Sequence, residues 1–457
     1  MFHNMNLKHL LFFLAASFLL FSCSRPEEEP ANQAYISGNI VVDETIDPSG
    51  DNSGITLMTT MQNEEGQTDT LYFAQTDSLG NFSATARFDQ KDIYPVFVSR
   101  NRNTFGFLNI IFADGDSVTV EGRLPNLNEN VEISSEENDV YKIFDRVDRS
   151  FSRVASFINA GGLSADSVQA EIEKWSDIYW EIFEDYPDTY AAKMSGESAV
   201  AILRGLNDSL MIERAEIIMQ KYDNLMQGTR STLLEYYAET EGLDRALKFL
   251  DQLKNKTTSR TERMDLEMHT IEILFDSSRT DRANVLLQEF QNNYADNDHA
   301  MEWATSISYD LEFLAPGSPF PPVQFRTVDG DSLSTEELIG RPFLIEITRL
   351  DNRLYQQQFD RTVAIYQIYR NFDLEIITIP IATTMITLEA FFDERSMLWK
   401  VAMPDSFDAD ELIDVLNINR VPTRFLVNGD GKIIRRYIGN EYDDVVRGLQ
   451  QITTLNE

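Results

Sequence analysis

The sequence predicts a multidomain α+β chain with an antiparallel β-sandwich first, an all-α domain in the middle and an α/β layer domain last. Three observations carry this. Short runs of alternating apolar and polar residues fill 34–126, three- and four-residue apolar spacing takes over in 137–314, and near-continuous apolar strands punctuate 315–457. Of the 457 residues, 42% are hydrophobic, with 29 Phe and 17 Tyr, so apolar material suffices for several packed cores.

Before these domains stands a leader over 1–22. Lys8 and His9 precede an apolar stretch from Leu10 to Phe21, too short for a permanent spanning helix, and Leu20-Phe21-Ser22-Cys23 closes it. The ending resembles a bacterial lipobox, although Phe21 departs from the small or β-branched residue usual there. The resemblance implies that Cys23, the chain's single cysteine, becomes a lipidated first residue with its thiol consumed. The rival reading is an ordinary leader cut elsewhere. A polar, proline-bounded tether over 23–33, with Ser24 to Pro30 at its heart, would lift the remainder off a bilayer, and no later apolar run approaches spanning length. The expected location is therefore the cell envelope, lipid-anchored to a bacterial membrane and facing periplasm or exterior.

Charge narrows the partners. Asp and Glu outnumber Lys and Arg by 75 to 39, a net charge of −36, which repels phosphate backbones. No nucleic-acid partner is expected.

In 34–126 the strand-like runs include Tyr35–Val42, Thr70–Ala74, Phe82–Phe88, Pro95–Val98 and Ser117–Gly122. Asp77 to Phe82 predicts a hairpin turn in which Gly80 supplies a positive φ. In 137–314, Val140, Ile143, Phe144, Val147, Phe151 and Val154 fall on one helical face. Ala246–Leu253 and Ala283–Phe290 resemble second helices of tetratricopeptide hairpins, but the period is irregular and the glycine and tryptophan signature is missing. Trp175, Trp180 and Trp303 read as core or groove residues.

The last segment opens on Ala315-Pro316-Gly317-Ser318-Pro319-Phe320-Pro321-Pro322. Val328-Asp329-Gly330-Asp331-Ser332-Leu333 and Leu338-Ile339-Gly340-Arg341-Pro342 lead into the apolar strand Phe343–Ile347. A second strand, Leu374–Ile379, follows a helical stretch, and Val421-Pro422-Thr423-Arg424-Phe425-Leu426-Val427 runs into Asn428–Ile434, with Gly439 beyond. These motifs resemble the TlpA/ResA-like thioredoxin-fold proteins of the thioredoxin and AhpC/TSA superfamily, over under a third of the chain. The fold implied for 315–457 is thioredoxin-like.

Such proteins place a Cys-x-x-Cys pair at the helix after the first core strand, where the helix dipole favours a thiolate. The resemblance sets those positions at Asn352 and Tyr355, neither of which forms a thiolate or a mixed disulfide. Peroxidase chemistry of the peroxiredoxin kind fails for the same reason. What the resemblance leaves is the groove: the proline matched by Pro422 is cis in the family, and the backbone of the preceding residue, Val421, pairs with an extended substrate peptide. Val421, Pro422 and Thr423 are thus candidates for binding peptide or protein partners. The competing account is that Pro422 only sets a turn.

Arg349 and Arg353 flank a helix start at Asp351 or Asn352, which would suit an anion, or pair with neighbouring carboxylates. Beyond the leader, His269 and His299 are the only histidines, and both read as ordinary helix residues. Asp114-Gly115-Asp116, Asp329-Gly330-Asp331 and Asp405, Asp408 and Asp410 lack EF-hand spacing and read as turns or caps. Glu346, inside an apolar strand, is a candidate for a buried carboxylate with a raised pKa. No catalytic residue, cofactor or metal is expected. The rival class is an enzyme using non-cysteine chemistry, or a protein sharing only its fold with thiol-disulfide oxidoreductases.

Overall fold

A computed structural model describes residues 32–454 apart from 46, 63–67, 128, 129 and 394. The leader, Cys23 and the tether up to residue 31 lie outside the described residues. The chain divides into two compact units, one ending at Tyr236 and the other beginning at Tyr237.

The first unit starts with eight strands. They are β1 (Asn32–Val42), β2 (Thr56–Gln62), β3 (Thr68–Gln75), β4 (Asn81–Phe88), β5 (Asp92–Arg100), β6 (Asn103–Phe112), β7 (Ser117–Leu124) and β8 (Val131–Ser134). Two four-stranded sheets form, in the orders β4-β1-β7-β8 and β3-β2-β5-β6. Alternation sends Ile36, Ile40, Val118 and Val120 from the first sheet and Leu57, Val96, Val98 and Leu108 from the second into one shared core. The predicted turn is present: Gly80 has φ 87°, and the Asp77 carboxylate accepts from the Leu79 and Asn81 amides, each at 2.9 Å.

Two features depart from the prediction. The sheets are not wholly antiparallel, because β1 runs parallel to β7 from Tyr35↔Ser117 to Val42↔Leu124. Strand pairing also continues past residue 126, with β8 antiparallel to β7. Gly38 is required at the parallel seam: a Cβ there would lie 1.8 Å from the Val120 carbonyl oxygen.

Helices follow at Glu136–Asn159, Ala165–Asp185, Tyr190–Ala201 and Asp208–Lys221. Ser135 caps the first, and Asn138 in its first turn covers the edge of β6, accepting from the Ile111 amide at 3.0 Å and donating to its carbonyl at 3.2 Å. Of the predicted face, Val140 and Phe144 are buried and Val147 and Phe151 pack beside them, whereas Ile143 is exposed. Trp175 and Trp180 each donate to a carboxylate one turn away, Glu171 and Glu184 respectively.

The second unit contains helices Leu243–Lys256, Arg260–Asp276, Thr280–Asn293 and Asp298–Tyr309, a π turn at Asp310–Leu314, and the α/β layer. A short hairpin of β9 (Gln324–Arg326) and β10 (Ser332–Ser334) precedes a five-stranded sheet. That sheet has the order β13-β12-β11-β14-β15, from β11 (Phe343–Thr348), β12 (Glu375–Pro380), β13 (Lys400–Val401), β14 (Thr423–Val427) and β15 (Ile433–Ile438). β11, β12 and β13 are parallel, while β14 opposes β11 and β15 opposes β14.

Both faces of the sheet are covered, so its central strands read as continuous apolar runs. Ile345, Ile347, Ile377 and Phe425 pack on one side with Leu412 and Leu416. Leu344, Ile376 and Leu426 pack on the other with Tyr355, Phe359 and Val445 from helices Arg353–Tyr369 and Tyr442–Thr454. Buried Asp310 joins the preceding helices to this layer, accepting from Arg436 at 2.8 and 2.5 Å and from Asn417 at 2.8 Å.

Candidate functional site

β11 delivers its carboxyl end, Thr348, to a short turn, and helix Arg353–Tyr369 begins directly after it. Asn352 is the N-cap, its Oδ1 accepting from the Tyr355 amide at 3.0 Å. Its Nδ2 donates to the Val421 carbonyl at 3.2 Å, so one side chain joins the helix start to the loop before β14. The Val421–Pro422 peptide is cis, and the Pro422 carbonyl accepts from Gly439 at 2.8 Å. The Val421 N–H makes no hydrogen bond among the described residues.

Tyr355, one turn along the helix, is fully buried. Its ring stacks on Phe391 at a 6.0 Å centroid distance and meets Phe359 edge-on. Burial, with the Glu346 carboxylate adding to it, holds the Tyr355 phenol well above its ordinary pKa.

Beneath lies a buried polar network. Glu346 on β11 and Arg424 on β14 are register partners and form an ion pair of 2.7 Å, with side chains 0% and 1% exposed. Thr362 and Thr378 donate to the same carboxylate at 3.2 and 3.1 Å. The Arg424 fork also reaches Gln358 Oε1 at 3.0 Å, and its plane lies 4.5 Å from the Tyr442 ring centroid. Trp399 donates to Thr378 at 2.9 Å, and Gln358 donates to the Gly439 carbonyl at 3.2 Å. Charges this deep in a fold persist only when paired and hydrogen-bonded, as both are here.

Over 145 residues the chain is 22% identical to the thiol-disulfide oxidoreductase ResA of a Bacillus cereus strain, a match covering 32% of this chain and 82% of that protein. ResA of Bacillus anthracis is 21% identical over the same shares. The carboxy-terminal domain is a ResA-like thioredoxin-fold domain.

Among solved structures, the thioredoxin domain of a thiol-disulfide oxidoreductase from Bacteroides vulgatus is similar to the ResA-like domain at 18% identity, covering 30% of this chain and 98% of that one with a TM-score of 0.27. StoA from Bacillus subtilis stands at 16% identity, 30% and 99% coverage and a TM-score of 0.26. No protein-family model matches the chain.

Within the ResA-like domain, Asn352, Tyr355, Val421 and Pro422 gather at the carboxyl end of β11. Thr423 is buried, donating to the Arg420 carbonyl at 2.5 Å. Arg349 is taken by Asp351 through two hydrogen bonds of 3.0 and 2.7 Å, which hold the Asp351 carboxyl below its ordinary pKa, while Arg353 is exposed. His269 and His299 stand on helices Arg260–Asp276 and Asp298–Tyr309. Of the acidic clusters, Asp408 caps helix Ala409–Val415 and Gly330 turns the β9–β10 hairpin with φ 92°. Glu346 is buried as expected, yet in an ion pair, not alone.

Arg424, Gln358 and Thr362 were not among the residues the sequence singled out. The available signal was a lone charge of opposite sign inside each of two apolar strands, Phe343–Thr348 and Thr423–Val427.

Proposed function

We propose that this chain is a membrane-anchored envelope lipoprotein whose ResA-like domain performs no redox chemistry and instead holds an extended peptide or protein segment in the groove beside Pro422. The carrying observation is the asymmetry at Val421: its carbonyl is held by Asn352, whereas its N–H is left without a partner among the described residues. A strand laid alongside can accept that N–H and gain main-chain affinity without any thiol. Two further facts support the reading. The single cysteine, Cys23, stands at the end of an apolar leader, and Asn352 and Tyr355 occupy the cap and first turn where the resemblance sets two cysteines.

The test is a photo-crosslinking residue at exposed Arg353, in cells making the full chain. Capture of a few reproducible proteins, lost when Val421→Pro removes the N–H, is the expected result. Capture unaffected by Val421→Pro in a variant that still folds overturns the groove reading. Mass analysis of the mature amino terminus for a lipid on Cys23 reads the anchor separately.

A further inference from the structure

The outward face of the β3-β2-β5-β6 sheet departs from the polar surface expected of a sheet with one face in water. Met58 pairs across the sheet with Phe73 on one side and Phe97 on the other, and Phe97 pairs with Phe107. Directly opposed residues share a face, so these four form one apolar row running straight across all four strands. They are 53% (Phe73), 41% (Met58), 46% (Phe97) and 49% (Phe107) exposed, and the Phe97 and Phe107 rings lie 5.9 Å apart. Their strand neighbours Leu57, Tyr72, Val96, Val98 and Leu108 already fill the core on the other face. The row is therefore additional to what the core needs.

Its surroundings are uncharged. The segments 56–60, 71–75, 95–99 and 107–109 contain no Asp, Glu, Lys or Arg, in a chain with 75 acidic and 39 basic residues. Four strands spaced about 4.8 Å apart give a strip under about 20 Å long. That is small beside the roughly 800 Å² per partner of a stable protein interface. A flat, uncharged strip of Phe and Met does suit the boundary between headgroups and acyl chains of a bilayer. Lacking cations it gains nothing from anionic lipid, and lacking carboxylates it is not repelled.

The chain ahead of the structure supplies the reason for choosing a bilayer. Asn32, where β1 begins, is nine positions after Cys23, a reach of at most about 30 Å. A lipid on Cys23 would hold the sandwich at high effective concentration over the membrane, where even a weak surface is occupied.

We propose that the Phe73–Met58–Phe97–Phe107 row is a bilayer-contact face that lays the β-sandwich on zwitterionic lipid; this rests on the lipid-anchor reading above. The test uses the full-length chain reconstituted on phosphatidylcholine vesicles, with Phe97→Cys carrying a polarity-sensitive fluorophore. Thr119→Cys, exposed on β7 of the opposite sheet, serves as the control. The expected result is a blue-shifted label at 97, quenched at least twofold by brominated lipid, and no response at 119.

Flotation of the unsubstituted chain with the vesicles reads the anchor independently. A floating chain whose two labels respond alike overturns the contact face and leaves the anchor standing, and a chain that does not float overturns both. A label shift at 97 that depends on protein concentration in vesicle-free solution assigns the row to a second copy of the chain and also overturns the proposal.

Discussion

Glu346 and Arg424 sit directly opposite each other on antiparallel β11 and β14, with Nε and Oε1 2.7 Å apart and neither side chain reached by water. Removing one member strands the other as a buried charge, at a cost of about 3–5 kcal/mol, whereas exchanging both for apolar residues of similar size is close to neutral. Glu346→Leu or Arg424→Met alone should therefore lose several kcal/mol in urea unfolding, and the double variant should recover most of it. Additive losses would show that the two residues act separately.

Tyr355 tests whether the position beneath the helix start is held by shape or by its hydroxyl. The ring is fully enclosed, and its hydroxyl stands 3.5 Å from that of Thr378, the outer limit of a hydrogen bond. Tyr355→Phe should cost under about 1 kcal/mol. Tyr355→Ala should cost about 3–5 kcal/mol because it empties a ring-sized space. Thermal unfolding of the two variants makes the comparison.

Asn352 performs two tasks that substitutions separate. Asn352→Ala removes the cap and should cost about 1 kcal/mol. Asn352→Asp keeps a capping oxygen but cannot donate to the Val421 carbonyl, so its loss should be smaller while the loop becomes freer. Amide hydrogen exchange at Gly439, whose N–H is held by the Pro422 carbonyl, in the two variants and the unsubstituted chain reads the loop, and equal protection in all three would exclude the bridge as its fastener.

Alkaline pH should weaken the fold through its buried phenols. Burial pushes Tyr437 up to about 12 and raises Tyr355 and Tyr442 as well, from an ordinary value of 10.0. The folded protein keeps protons that the unfolded chain would release, so the stability involved is full below about pH 10 and is lost as pH rises toward the folded values. Phenolate absorbance on stepping from about pH 9 to about pH 12 should appear in two stages, exposed tyrosines first and those with a raised pKa, which include these three and Tyr72, Tyr179 and Tyr190, together with unfolding.

Periodicity alone located strands and helices, because one-sided burial imposes a two- or 3.6-residue repeat whatever the partner is. Partner choice left no such trace. Nothing local to Tyr35–Val42 shows that it runs parallel to Ser117–Leu124, since that pairing joins segments far apart in the chain. The four-residue strand Val131–Ser134 is too short to register as a repeat. At the site, Asn352 was visible as one of two candidates for the helix cap, which it is, and otherwise Asn352 and Tyr355 were visible as places where a thiol is missing. That one bridges to Val421 and the other fills a space between Phe359 and Phe391 follows from the layering of helix on sheet. Phe73, Phe97 and Phe107 were hidden in plain alternation, which finds a core face but does not ask whether the opposite face is polar.

β1 is an interior strand, hydrogen-bonded to β4 along Asn32–Asn39 and to β7 along Tyr35–Val42. A pull applied along β1 would load both ladders lengthwise at the same instant instead of opening either one bond at a time. Forced unfolding is governed by the height of the barrier to the first rupture. Under such a pull the doubly paired β1 would resist sliding even if the fold as a whole were only modestly stable.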